Sequence, residues 1–257
     1  MTHLLFLHGL GGGHHAWDAQ LHHFSKLGYA AHAWDQPGYG HSPTVEPYDL
    51  EQVTGALARL IESLGAGEPV VLIGHSMGGL IAQEAYARYP HLVKALALCF
   101  TSAAFVGGSN FAKQFVAERV GPLDEGQTMA QIAARLTPTH GGSKSDPAGA
   151  ELAERIMASL SPETYRKSVH LLTTFDRRSD LAKIAVPTLL IAGSEDRTAP
   201  QAIMASMQRK IPGSELVVLE GCGHLGPMEQ PAEFNAALEP FLRKMASRWA
   251  TEKTQAR

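Results

Sequence analysis

The chain has 257 residues, 44% apolar and 18% charged, with a formal net charge of −3. It is long enough to bury a core without staples, and two cysteines, Cys99 and Cys222, are too few for a disulfide framework. Nothing suggests a nucleic-acid partner, no apolar run approaches the ~20 residues of a membrane span, and the N-terminus reads as a strand rather than a signal, so a cytoplasmic protein is expected.

Leu4 to Leu7 is an apolar run ending at His8-Gly9, a short buried strand, followed by the loop Gly9-Leu10-Gly11-Gly12-Gly13. A helix is predicted from His14 to Leu27, with Trp17, Leu21 and Phe24 on one face and Gly28 as its stop. Tyr29 to Trp34 is the second strand, and Asp35 to Pro43 a turn-rich loop. A helix from Leu50 to Leu64 turns Val53, Leu57, Leu60 and Ile61 inward. Val70 to Ile73 is a buried strand, a helix runs on to about Tyr89 before Pro90, and Ala95 to Phe100 is the fourth strand. This alternation calls for a parallel sheet with helices on both faces. Ligands of such sheets bind at the carboxyl ends of the strands, where Gly9, Gly38 and Ser76 fall.

Residues 104–180 break the rhythm. Helices are predicted over Asn110–Val120, Thr128–Leu136, Ala148–Ser159 and Pro162–Thr174, separated by Gly107-Gly108, Gly121-Pro122 and His140–Pro147. A helical lid inserted after the fourth strand is the expected arrangement, between core segments 1–103 and 181–250. The sheet resumes with Val186–Ala192 and Glu215–Leu219, with a helix over Pro200–Lys210 between them. A last helix runs from Pro231 to about Trp249, and 251–257 is expected to fray.

Gly74-His75-Ser76-Met77-Gly78 is a G-x-S-x-G sequence between a strand and a helix, the setting of a nucleophile elbow. A serine hydroxyl needs a base, and the base an orienting carboxylate. Asp196 follows the strand 186–192 and His224 follows the strand 215–219, so the order is Ser76, Asp196, His224. Glu195, Asp176 and Asp180 are the rival acids, the last two upstream of their strand. His8 and His75 are the rival bases; His8 is expected to bond within its own loop, and the His75 ring to point away from the Ser76 hydroxyl. The backbone N–H groups of Met77 and Leu10 are the candidate donors to an oxyanion, so no metal or other cofactor is required. The paired histidines His14-His15 and His22-His23 lack a third ligand and read as a solvated helix face. In the lid Phe111, Phe115, Leu152, Ile156, Leu171 and Leu172 recur at helical spacing. Some are expected to pack together and others to form an apolar pocket facing Ser76. Gly9, Ser102, His140, Arg177, Arg178 and Leu225 complete the candidate pocket.

These blocks taken in order, with His8-Gly9-Leu10-Gly11-Gly12, Asp35-Gln36-Pro37-Gly38-Tyr39-Gly40-His41-Ser42 and Gly223-His224, resemble the α/β-hydrolase superfamily over about residues 3–100 and 180–245. The resemblance implies the α/β-hydrolase fold and hydrolysis of a small-molecule ester or lactone. Asp176-Arg177-Arg178, Ile184 to Thr188 and Asp196 to Pro200 are similar to 3-oxoadipate enol-lactonases, in which case Arg177 or Arg178 would meet a substrate carboxylate. Two further readings stay open: a carbon–carbon bond hydrolase, whose relatives often carry Trp where Leu225 stands, and a slow-turnover ligand-sensing protein. Superfamily members usually carry two antiparallel strands ahead of the strand at 4–7. Without them, strand 29–34 becomes an exposed edge.

Overall fold

The computed structural model describes residues 2–64, 68–105 and 108–255. The elements in order are β1 (His3–Leu7), α1 (Asp18–Lys26), β2 (Ala30–Trp34), α2 (Leu50–Leu64), β3 (Val70–His75), α3 (Met77–Arg88) and β4 (Val93–Cys99). The insertion follows with α4 (Gly108–Asp124), α5 (Met129–Leu136), α6 (Pro147–Ala158) and α7 (Pro162–Leu172). The chain then returns to the sheet through β5 (Thr188–Gly193), α8 (Gln201–Gln208), β6 (Glu215–Leu219), the short α9 (Gly226–Glu229) and α10 (Pro231–Gln255). This is the α/β-hydrolase architecture, with a helical insertion after the fourth strand.

The six described strands are all parallel, in the order β2-β1-β3-β4-β5-β6. The chain steps from β1 out to β2, then back past β1 to β3. That reversal opens a crevice at the carboxyl ends of β1 and β3, where a ligand of an open α/β sheet binds. β2 is an edge of the described sheet, as expected, with half-buried side chains over Ala30–Ala33.

Side chains alternate across each strand, so every strand feeds two cores. Leu5, Leu72, Leu96 and Leu190 pack with Val53 and Leu57 of α2, Ile81 of α3 and Met204 of α8. Leu4, Val71, Ala97 and Ile191 pack with Trp17, with Phe24 of α1 and with Phe234 and Leu238 of α10. Burial on both sides explains why β3, every residue of which is buried, reads as a continuous apolar run.

Most boundaries shift by one to four residues from the sequence reading, and three of the differences bear on the fold. β5 begins at Thr188 rather than Val186, because Pro187 has no N–H and only its carbonyl joins the sheet, accepting from Leu96. α4 continues through Gly121-Pro122 to Asp124 instead of stopping there. α10 is helical to Gln255, past Trp249, while Ala256 and Arg257 lie outside the described residues, as does Gly107. Among the described residues no helix is long and apolar enough to cross a membrane.

Candidate active site

Ser76 stands between β3 and α3 with φ 51° and ψ −117°, one of two described non-glycine residues at positive φ. Such strain costs of order 1–3 kcal/mol and persists only where the surroundings hold it. Here the Ser76 N–H donates to the Cys99 carbonyl (2.9 Å), and the Ser76 carbonyl accepts from the Thr101 hydroxyl (2.8 Å). A Cβ at Gly74 would overlap the Gly78 backbone, and one at Gly78 would overlap the Leu7 carbonyl. Glycine is therefore obligatory at both positions, and the elbow sits tight against the end of β1.

The Ser76 hydroxyl lies 2.9 Å from His224 Nε2, and His224 Nδ1 lies 2.8 Å from Asp196 Oδ2. The other Asp196 oxygen accepts from the backbone N–H groups of Thr198 (2.8 Å) and Ala199 (2.9 Å). Burial pushes the Asp196 pKa up, but His224 and these two donors outweigh it and hold the carboxyl below its ordinary value. Glu195 faces the other way, accepting from the Ser143 N–H (2.8 Å) and hydroxyl (2.6 Å). Asp176 pairs with Arg178, and Asp180 with Arg177 and Lys183. None of the three bonds to His224.

The loop that carries His224 is tied at nearly every backbone group. The Gly223 and Leu225 N–H groups, on either side of His224, donate to Glu229 Oε2 (3.1 Å) and Oε1 (3.0 Å). Glu229 Oε2 also accepts from the Ser145 hydroxyl (2.7 Å). The His224 N–H donates to the His140 carbonyl (2.7 Å), and the His224 carbonyl accepts from His75 Nε2 (2.7 Å). Burial lowers the His75 pKa to about 3, so this ring is neutral and the shared proton is its own. His75 thus acts on the His224 backbone, away from the serine hydroxyl. His8 Nδ1 donates to its neighbour's carbonyl at Gly9 (2.9 Å), and its Nε2 accepts from the Gln36 N–H (3.2 Å).

The loop Gly9–Gly12 passes beside the elbow, where a Cβ on Gly9 would come within 3.1 Å of the Ser76 Cβ. Neither the Leu10 nor the Met77 N–H donates to another described residue. Both stay available to an oxygen above Ser76.

Two cavities meet at Ser76, His224, Arg119, Phe115, Leu172 and Thr198. The narrower, of about 110 Å³, is walled by Leu10, Ile156, Met157, Leu225 and Met228, with Tyr165 and His140. The wider, of about 470 Å³, reaches past Met77, Ser102, Phe105 and Phe111 to Arg197 at its mouth. Ser102, His140 and Leu225 line these cavities, and so do Phe111, Phe115, Ile156 and Leu172, whereas Gly9 lines neither. Leu171 and Leu152 turn into the two cores instead.

Arg177 and Arg178 line neither cavity, which corrects the sequence reading. Arg177 bonds through Nε and Nη2 to the two oxygens of buried Glu84 on α3 (2.6 Å each), and through Nη1 to Asp180 (2.8 Å). Its N–H donates to the Ala103 carbonyl, joining the two ends of the insertion. Burial alone would raise the Glu84 pKa, but Arg177 and Arg88 hold it below the ordinary value. Arg178 is exposed and closes on Asp176. The arginines that do line the cavities are Arg119 and Arg197. They, Tyr165 and Glu229 were missed from sequence. The only available signal for Glu229 was an acid in an otherwise uncharged stretch, Gly221 to Ala232. Among the described residues no three His, Cys, Asp or Glu side chains gather to hold a metal.

The profile of the alpha/beta hydrolase family matches residues 4–237. The chain is 30% identical to 3-oxoadipate enol-lactonase 2 of Acinetobacter baylyi, over 94% of this chain and 88% of that one. It is 29% identical to a pimeloyl-[acyl-carrier protein] methyl ester esterase of Neisseria meningitidis, over 87% and 89% respectively. Among solved structures, a thermophilic esterase from Thermogutta terrifontis superposes with a TM-score of 0.85 at 27% identity, over 95% of this chain and 90% of that one. The elbow, the strand order and these matches agree, and the chain belongs to the alpha/beta hydrolase family.

Proposed function

We propose that this protein is a serine hydrolase of small carboxylic esters or lactones that works through an acyl-enzyme on Ser76. The observation that carries the reading is the continuous chain from the Ser76 hydroxyl through His224 to Asp196, at 2.9 and 2.8 Å. His224 Nε2 takes the Ser76 proton as the hydroxyl oxygen attacks the ester carbonyl, and later delivers it to the departing alkoxide. Asp196 accepts from Nδ1, which leaves the Nε2 lone pair facing the serine. The N–H groups of Met77 and Leu10 receive the developing oxyanion. Water then enters by the same base and releases the acid. Helices α4 to α7 roof the site and act as its lid. Its relatives of both ester and lactone type support this reading.

An alkyl fluorophosphonate should label Ser76 and no other residue, as read by peptide mass. Ser76→Ala should lower kcat on p-nitrophenyl esters by about 10⁴- to 10⁶-fold with an unchanged Tm. Near-wild-type turnover in that variant would place the nucleophile elsewhere.

A further inference from the structure

The ester carbon attacked by Ser76 carries an acyl chain and an alkoxy group, and two cavities meet at Ser76 to receive them. Leu10 lines the narrow cavity and Met77 the wide one, so an oxyanion held by their N–H groups leaves one substituent on each side. The two spaces differ in enclosure, size and lining. Of the residues that line the narrow cavity only Thr198, which belongs to both, is exposed. The wide cavity opens past exposed Phe111, Glu118 and Arg197. A dry cavity of about 150 Å³ takes up benzene, so the narrow space of about 110 Å³ seats a few carbons and no ring. The wide space is about 470 Å³ and its walls are aromatic. There the Phe105 ring centre lies 5.5 Å from that of Phe111 and 4.9 Å from that of Phe115, and buried Phe100 adds a fourth ring. The order of the chemistry decides which group goes where. The alcohol leaves as the acyl-enzyme forms, and water then attacks the same carbonyl from the side the alcohol vacated, with His224 serving both steps. The departing group therefore needs the cavity with a solvent mouth. The acyl chain stays on Ser76 through both steps, and enclosure does not hinder it.

We propose that the narrow cavity holds the acyl chain and the wide cavity the alcohol, so the substrates are esters of short-chain acids with aromatic alcohols. The proposal rests on the ester-hydrolase reading above and adds to it which side of the ester bond is large. Phe105, Phe111 and Phe115 offer ring faces and edges to an aromatic alcohol, and the mouth beside Phe111 and Arg197 passes that alcohol out and water in. Ile156, Met157 and Leu225 close the other side and set the acyl length.

The test uses two isomers in which the ester group is reversed, 2-phenylethyl acetate and methyl 3-phenylpropanoate. Both have alkyl leaving groups, and kcat/KM reports the approach to the transition state from free enzyme and ester, so deacylation does not enter. Wild-type enzyme should favour 2-phenylethyl acetate by about tenfold or more, the discrimination a shaped apolar pocket gives. Equal values or the reverse preference would overturn the assignment. In a second measurement, p-nitrophenyl esters from acetate to octanoate should lose about tenfold or more in kcat/KM beyond butanoate. Ile156→Ala should raise the ratio of hexanoate to acetate hydrolysis, a quantity that partial loss of folded protein leaves unchanged. A flat chain-length profile, or the same ratio in Ile156→Ala as in wild type, would show that the narrow cavity does not hold the acyl chain. Hydrolysis of p-nitrophenyl acetate but of neither isomer would overturn the assignment and leave the ester hydrolase standing. Failure on every ester would overturn the reading beneath it.

Discussion

Two adjacent carboxylates, Glu195 and Asp196, face opposite directions. Asp196 is buried, takes two backbone N–H groups on one oxygen and His224 on the other. Glu195 is exposed and tethers Ser143. Their contributions should differ accordingly. Asp196→Asn should leave KM near wild type and lower kcat by about 10⁴-fold, because the amide selects the wrong tautomer of His224. Glu195→Gln removes only a surface contact and should lower kcat less than about tenfold. Steady-state kinetics on one ester decides, and the reverse ranking would reassign the acid. The choice was legible in sequence only as a position after a strand. Which of two neighbours turns inward depends on the tight turn over Gly193–Ala199.

At the scale of elements, the segment joining α5 to α6 is docked along the His224 loop. The Lys144 N–H donates to Gly221, the His140 carbonyl accepts from His224, and the Ser145 hydroxyl donates to Glu229. The approach is so close that a Cβ on Gly142 or Gly223 would overlap the opposing backbone. The insertion therefore holds His224 in place as well as covering the cavities. Glu229 is the centre of this arrangement, with three donors on its two oxygens. Glu229→Gln replaces one acceptor by an NH₂ facing a donor. It should cost about 1–3 kcal/mol of stability and lower kcat more than it raises KM. Urea unfolding and ester kinetics read the two effects, and a stability loss with unchanged kcat would show that the loop does not position His224.

For the molecule as a whole, acid should be destabilising in two stages. Burial holds His8 near pKa 4, His75 near 3 and His140 near 4, against about 6.5 in an unfolded chain. Between those values the unfolded chain binds protons that the folded chain refuses, so stability falls as pH falls through the window. The slope is on the order of 1 kcal/mol per pH unit for each histidine. Below about pH 4 a second loss follows, as the depressed carboxyls of Asp196 and Glu84 are forced to protonate. The urea midpoint should accordingly drop from pH 6.5 to 4 and continue downward. A midpoint level across that range would mean the buried histidines titrate alike in both states.

The amino-acid sequence by itself determined the parallel sheet, the elbow and the order of Ser76, Asp196 and His224. Those features depend on short-range rules: strand and helix periods, glycine where a Cβ cannot fit, and side chains at the ends of parallel strands. Tertiary packing decided the walls of the site. Leu171 and Leu172 are equally apolar neighbours, yet one enters the core and the other lines both cavities, because one helical step rotates a side chain by about 100°. Arg177 reads from sequence as a candidate anion partner, and only the fold shows buried Glu84 holding it. In the insertion, helix phase and docking angle set which face meets Ser76, and neither is encoded in any local pattern.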